Sequence, residues 1–309
     1  MREPNTEEMR RGGVRRLGAI AGPVAPYLFL APMVLMTSVF LIYPAIETVR
    51  LSFMKVSLTG ETTFIGLANY LQMPSDPNFL TACINTTLWV GGVLILQVGG
   101  GLLIAVAVNA SPAAEVFKRI LYLPATLSGT VVAIIWYFIF DPSVGLINLA
   151  LHAAGLGFLA KSWLSTPPLN TYAMIVASTW QGLGVIMVMF LVGLQNIPRD
   201  VIEAAQVDGA HGFHMFRRIT LPMLRPMTLV VVALALIGSV KVFDIVEVMT
   251  AGGPYRSSET LGVTVYREAF ELFHQATGAA DAVALTIVVL VISMFYMWTM
   301  FRRIPETVN

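Results

Sequence analysis

The sequence predicts an all-α, polytopic membrane protein with six transmembrane helices. Three observations carry that prediction. The 309 residues are 56% hydrophobic and 12% charged, with a mean hydropathy of +0.75, whereas soluble domains carry about 25% charged residues. The charges come in clusters that leave long uncharged runs between them. The Lys and Arg residues fall unequally on the two sides that six crossings define. A soluble enzyme of this length would need a polar surface that 19 basic and 18 acidic residues do not supply. The formal charge of +1 gives no electrostatic reason to expect nucleic acid. The single cysteine, Cys83, forms no internal disulfide and no cysteine-based metal site.

The elements follow from the uncharged runs, because about 20 apolar residues cross the hydrocarbon core. A tail over 1–23 carries five arginines and precedes the first span at 24–46. That apolar run is too long for the core of a signal peptide and reads as an uncleaved helix. An outer loop extends to 82. Further spans are expected at 83–108, 120–140, 172–195, 226–249 and 281–301, with a tail at 302–309. The stretch 142–160 holds Asn148, His152 and three glycines; it is expected to be a short amphipathic or interfacial segment, the alternative being a seventh span. Six spans place 13 of the 19 Lys and Arg on the side of both termini, which the positive-inside rule assigns to the cytoplasm. A seventh span would move the basic loop 197–225 outside. The longest loops, about 30 residues, are too short to fold alone.

Enzyme signatures are few. The sequence has no HExxH and no GxxxxGK[ST], and its four histidines lack metal-ligand spacing. His211 and His214 fit a solvated helix face better than a metal site. Ser52-Phe53-Met54-Lys55 spells SxxK without the SDN and KTG that accompany it in acyl enzymes. Gly101 with Ala105, and Ser178 with Gly182, are small-xxx-small pairs that signal close helix packing.

One cytoplasmic segment, 197–226, stands apart. Pro198 suits a helix start, and Asp200 and Glu203 place negative charge near its positive end. Ala204 and Ala205 keep the helix slim. Gly209 permits a sharp turn or a close backbone approach. Phe213, Phe216 and Ile219 then recur every three residues on one apolar face. Such a helix either fills a groove on a partner or lies on the membrane surface.

Glu203-Ala204-Ala205, three residues, Gly209, nine residues, then Ile219-Thr220-Leu221-Pro222 resembles the EAA loop of ABC importer permeases. Seven fixed positions, at roughly 5–10% usage each, match by chance on the order of 10⁻⁸ per start. Pro26-Tyr27-Leu28-Phe29-Leu30-Ala31-Pro32 with Tyr43-Pro44 resembles the first span of the carbohydrate branch. Val242-Phe243-Asp244 and Met249-Thr250-Ala251-Gly252-Gly253-Pro254 resemble the fifth span and outer loop of its maltose-type first permease, in a compact six-span form.

The resemblance implies the type I importer permease fold, with a permease core over 83–301. It implies that Glu203, Ala204, Ala205 and Gly209 form the coupling helix docked on an ATPase subunit; Asp208 and Ala210 beside them, and Phe213, Phe216 and Arg217 as flanking contacts, are added from the residues themselves. It also implies a second homologous permease, two ATPase subunits that bind the ATP and Mg, and an extracytoplasmic solute-binding protein. This chain itself would hold no cofactor and perform no catalysis. Its expected location is a bacterial or archaeal plasma (inner) membrane.

Polar groups inside spans mark a candidate solute path. Lys241, Asp244 and Glu247 interrupt the fifth span at three-residue steps beside Phe243. They face a cavity, or Lys241 and Asp244 form an ion pair that holds the bundle. Trp180-Gln181-Gly182 sets an aromatic plate, an amide and a gap in succession, which suits a sugar; Asn85 is a further candidate. A polyol or glycerol-phosphate compound is the alternative cargo. An ion-coupled secondary transporter is the alternative class, but it leaves the EAA loop unexplained.

Overall fold

The computed structural model describes residues 25–57, 60–109 and 111–301. The tails 1–23 and 302–309, which contribute to the charge asymmetry, lie outside the described residues. The chain divides into two compact units between Leu51 and Ser52. The outer segment 52–82, grouped with the first span by sequence, belongs instead to the second unit.

The first unit centres on a helix that forms a candidate span over Pro26–Ser52. It continues through Pro32 and includes a π-helical turn at Ser38–Ile42. At 1.5 Å per residue, 27 residues reach about 40 Å, enough to cross the hydrocarbon core.

The second unit contains four further long apolar helices, Pro77–Asn109, Leu169–Gln195, Arg225–Thr250 and Gln275–Trp298, and one bent pair. Glycines set the packing of the second and fourth spans. A Cβ on Gly92 would lie 2.6 Å from Ile175 Cγ2, and one on Gly101 would lie 2.6 Å from Ile186 Cγ2. Both contacts advance toward the C-terminus, so these two spans run parallel. The chain between them must therefore cross back once. The bent pair supplies that crossing, which makes six spans and leaves no room for a seventh at 142–160. Trp89, Met174, Ile175, Met187, Phe190, Val132 and Val246 fill the core between the spans.

Two spans depart from the straight helices expected. The third is not a continuous helix over 120–140. An arm at Ala114–Thr126 meets the helix Gly129–Ile139 at a 100° bend. Pro124 carries no N–H to continue the ladder, and the Ser128 hydroxyl accepts the Val131 N–H at 3.4 Å to start the new helix. The fifth span runs helically over Arg225–Val240, breaks at Lys241–Phe243 and resumes at Asp244–Thr250. The Thr260 hydroxyl donates to the Val242 carbonyl at 3.0 Å, and a Cβ on Gly262 would lie 2.7 Å from that carbonyl oxygen. The break is thus packed and hydrogen-bonded from the outer loop.

One outer feature was not expected. A two-stranded antiparallel hairpin pairs Met54–Val56 with Thr62–Phe64, with Lys55 opposite Thr63. Segment 142–160 forms a helix over Leu146–Ala153. The Asn148 amide donates to the Pro142 and Lys161 carbonyls, and its oxygen accepts the Trp163 indole N–H at 2.8 Å. The exposed Leu146, Leu149 and Phe158 fit the interfacial reading. The Val144 and Ser143 N–H groups bind the Asp141 carboxylate and hold its pKa below the usual carboxylate range.

Candidate functional site

The second, fourth and fifth spans enclose a cavity of about 330 Å³. Its lining is mostly apolar, from Val93, Val185, Ile186, Met189 and Leu234 among others, with polar groups from Gln97, Ser178 and Ser239; Gly182 and Gly238 leave the space open. Gln97 sits in a π-helical stretch, Val93–Gly99, a distortion that recurs at functional sites. Its amide occupies the gap at Gly182, where a Cβ would come within 1.9 Å of Nε2. The indole N–H of Trp89 is fully buried without a hydrogen-bond partner among the described residues. A buried unpaired donor carries a desolvation cost of about 1–3 kcal/mol. No charged side chain lines the cavity.

The residues singled out from sequence take several places around this cavity. Gly182 lines it. Gln181 turns away, donating to the Leu127 carbonyl at 2.9 Å in the break of the third span. Trp180 meets Trp136 edge-on, with ring centroids 6.0 Å apart. The Asp244 carboxylate reaches the same break: a Cβ on Gly129 would lie 2.9 Å from its Oδ2. The carboxylate therefore faces the positive end of the Gly129–Ile139 helix. The two interrupted spans thus meet, and Gln181 and Asp244 are both at the junction.

Lys241, Asp244 and Glu247 do not lie on one continuous helix face, because the backbone is non-helical between Val240 and Asp244. Lys241 is exposed and forms no ion pair with Asp244. Phe243 packs against Tyr266 with centroids 5.0 Å apart. One carboxylate oxygen of Glu247 is buried without a hydrogen-bond partner among the described residues. Asn85 is tied to structure. Its amide donates to the Ser257 and Glu259 carbonyls at 2.8 and 2.9 Å, and its oxygen accepts from Thr171 at 3.4 Å.

Asn85 leads to a network that sequence reasoning missed. Asn170, fully buried, donates to the Gly253 carbonyl at 3.0 Å and the Ser257 hydroxyl at 3.1 Å. The Thr86 hydroxyl accepts the Leu261 N–H. The Glu259 carboxylate, also fully buried, receives two bonds from Arg256, one from Arg267 and one from Thr264. The hydrogen bond to Glu259 raises the Arg256 pKa further. The loop 251–274 is thereby fastened to the ends of the second and fourth spans. Only the Gly-Gly-Pro run signalled it, and that run revealed nothing of the charges that hold it.

At the other end of the spans lies the helix Arg199–Val207. Pro198 precedes it, and Asp200 stands in its first turn; Glu203 falls one turn later. Gly209 ends the helix with φ +81°. The Ala210 N–H bonds the Ala205 carbonyl and the Gly209 N–H bonds the Gln206 carbonyl, the six-to-one and five-to-two pair of a Schellman turn. Nothing in this chain lies within 4 Å of a Cβ at Gly209, so the turn, not a close approach within the chain, demands the glycine. Ala205 and Ala210 are buried. Glu203, Ala204, Asp208, Phe213 and Arg217 are exposed, and Phe216 is half-buried with its ring 6.4 Å from that of Phe213. Val207, not singled out from sequence, is also exposed. Glu203 borders a cleft of about 900 Å³ with Asn109, Gln195 and Gln206. Among the described residues, no group of three or more His, Cys, Asp or Glu is arranged to hold a metal ion.

Comparison with known proteins matches residues 97–303 to the family described as binding-protein-dependent transport system inner membrane component. The chain is 35% identical over 278 residues to the probable ABC transporter permease protein YurN of Bacillus subtilis, covering 89% of this chain and 95% of that one. It is 35% identical over 274 residues to the arabinooligosaccharides transport system permease protein AraP of the same species, covering 87% and 86%. Among solved structures, a chain of a bacterial ABC transporter involved in import of the acidic polysaccharide alginate superimposes with a TM-score of 0.82. That match has 24% identity and covers 94% of this chain and all of that one.

Proposed function

This chain belongs to the family of binding-protein-dependent transport system inner membrane components, and we propose that it forms half of the translocation path of an ATP-driven sugar importer. The cavity between the second, fourth and fifth spans carries this reading. An uncharged space of about 330 Å³, largely apolar but carrying the Gln97 amide and the Ser178 and Ser239 hydroxyls, suits a neutral solute better than an ionic one. A glycerol-phosphate compound fits less well, because no cation lines the cavity to meet its phosphate.

In this proposal the chain pairs with a second homologous permease. The exposed Glu203, Ala204, Asp208, Gly209, Phe213 and Arg217 dock on an ATPase subunit, over the buried Ala205 and Ala210 and the half-buried Phe216. ATP and Mg bind to that partner, and this chain performs no catalysis. An extracytoplasmic binding protein delivers the sugar. Both termini lie in the cytoplasm of a cell whose plasma (inner) membrane holds the complex. The interrupted third and fifth spans support a moving path, since irregular backbone at membrane depth is tolerated where it is buried or lines a cavity.

The test is uptake of labelled sugar into proteoliposomes holding the complete transporter, with ATP inside and loaded binding protein outside. Gln97→Leu removes the amide from the cavity and is expected to lower uptake about tenfold, roughly 1.4 kcal/mol, without detaching the ATPase. Uptake that persists without ATP and collapses with the proton gradient would instead support an ion-coupled carrier.

A further inference from the structure

Three aromatic side chains step outward from the break in the fifth span. The helix Leu261–Tyr266, continued by a π-helical turn over Arg267–Glu271, starts against that break, where Gly262 approaches the Val242 carbonyl. Val242 itself lines the cavity. The adjoining Phe243 ring meets Tyr266 at a centroid distance of 5.0 Å, and Tyr266 meets Phe270 at 5.5 Å with the planes 36° apart. The rings open progressively in this order. Phe243 is half-buried, Tyr266 is 38% exposed and Phe270 is 66% exposed.

A polar column runs beside the rings. The Glu247 N–H bonds the Phe243 carbonyl, which sets Glu247 one helical turn outward from that ring. Arg267 and Glu271 each follow a ring residue by one position, and Arg267 Nε donates to Glu271 Oε2 at 3.1 Å. Both lie close enough to act electrostatically on Glu247. Three charged side chains in one column argue against a lipid-facing surface. One Glu247 carboxylate oxygen is buried and accepts no hydrogen bond among the described residues, so it remains available to a donor. Open aromatic faces beside carboxylate acceptors and a guanidinium donor match the two chemistries of a sugar. Its C–H face packs on a ring, and its hydroxyls meet the polar column.

We propose that Tyr266 and Phe270, backed by Phe243, form an outer subsite that holds successive rings of an oligosaccharide before it enters the cavity. Glu247 accepts a hydrogen bond from a sugar hydroxyl there. The inference rests on the importer reading above and deepens it from a sugar to a sugar chain, because two open rungs favour two or more linked rings over one.

The test is uptake per ATP hydrolysed in proteoliposomes holding the complete transporter and its binding protein. The probes are labelled maltotriose and arabinotriose, with glucose and arabinose as the corresponding single rings. Wild type is expected to import a trisaccharide better than its monosaccharide. Phe270→Leu, which keeps an apolar side chain but loses the aromatic face, should lower trisaccharide uptake per ATP about fivefold, and Phe270→Tyr should restore it. Glu247→Leu should cause a similar loss, whereas Glu247→Gln, which retains an acceptor, should keep most of the uptake. Trisaccharide uptake unchanged in Phe270→Leu and Glu247→Leu would overturn the subsite and leave the importer reading in place. So would a loss in Phe270→Leu that follows detachment of the second permease on co-purification, since that subunit would then be what covers the rings. A wild-type complex that imports a monosaccharide but neither trisaccharide would also overturn it. ATP-driven import of none of the four sugars would remove both readings.

Discussion

Glu259→Gln tests whether the outer loop is held by charge. The Glu259 carboxylate is fully buried and accepts Arg256 Nε at 2.7 Å, Arg256 Nη2 at 2.6 Å, Thr264 Oγ1 at 2.8 Å and Arg267 Nη1. Glutamine preserves the shape, but it removes the charge and turns one acceptor into a donor that faces guanidinium N–H groups. Removing one partner of a buried ion pair costs about 3–5 kcal/mol. The lower end applies here, because the arginine side chains remain 22% and 14% exposed, and each keeps a second carboxylate, Glu268 at 3.5 Å and Glu271 at 3.1 Å. About 3 kcal/mol corresponds to a change on the order of 100-fold in the opening equilibrium of the loop. Hydrogen exchange of the complex in nanodiscs reads this directly. The Thr264 and Leu272 amides, bonded to Thr260 and Arg267, should lose protection by about that factor while amides in the fourth span keep theirs. Exchange of the loop within threefold of wild type would refute the reasoning.

Further expectations come from other sites. Gly184→Ala would place its Cβ 2.0 Å from the Leu121 carbonyl oxygen, a backbone atom that cannot yield as a side chain does. It should destabilise the crossing of the fourth span with the third-span arm by about 1–3 kcal/mol, seen as a shorter half-life on heating in detergent, whereas Gly91→Ala, with nothing within 4 Å, should be neutral. Gly209→Val forces a β-branched residue to φ +81°; membrane insertion should remain normal while ATP-driven uptake is lost, as it should be in Glu203→Lys, and normal uptake by both variants would contradict the coupling role. Asp244→Asn removes the charge beside Gly129 and should impair sugar uptake with the ATPase still bound on co-purification; unchanged uptake would withdraw Asp244 from the path.

The number of spans was legible because crossing a bilayer demands long uncharged runs, and that demand acts on composition. The breaks within spans were less legible, because averaged hydropathy does not register a local change of direction. Pro124 and the Ser128-Gly129 start signal were present in the third span but were outweighed by the apolar residues around them. Lys241 was visible as a charge, yet the three-residue spacing to Asp244 and Glu247 presupposed a helix that the backbone does not maintain. In the candidate site, Gly182 was recognised as a gap, but Gln97, which fills it, was not, because one amide within a long apolar helix carries no positional signal. Asn85 had the right chemistry for a solute contact, but the two carbonyls its amide meets lie more than 170 residues away. That pairing, like the arginines around Glu259, is decided by tertiary packing. The turn at Gly209 was readable from local backbone chemistry alone.

The bend in the third span also bears on how the chain is made. Its apolar helix, Gly129–Ile139, has 11 residues, about 16 Å of rise against a hydrocarbon core of about 30 Å. Emerging from the ribosome by itself, such a segment is too short to partition stably into lipid. The hydrogen bond from Gln181 joins a residue 54 positions earlier in the chain, Leu127, and the carboxylate of Asp244 meets Gly129 from still further along, so both arrive only after much more of the chain has been synthesised. Insertion of this crossing is therefore coupled to later spans, so in a chain carrying Cys83→Ser and Ile135→Cys, a ribosome stalled before the fourth helix should leave the introduced thiol accessible to water-soluble thiol reagents. The same short element that allows the path to bend makes its biogenesis a cooperative, late event.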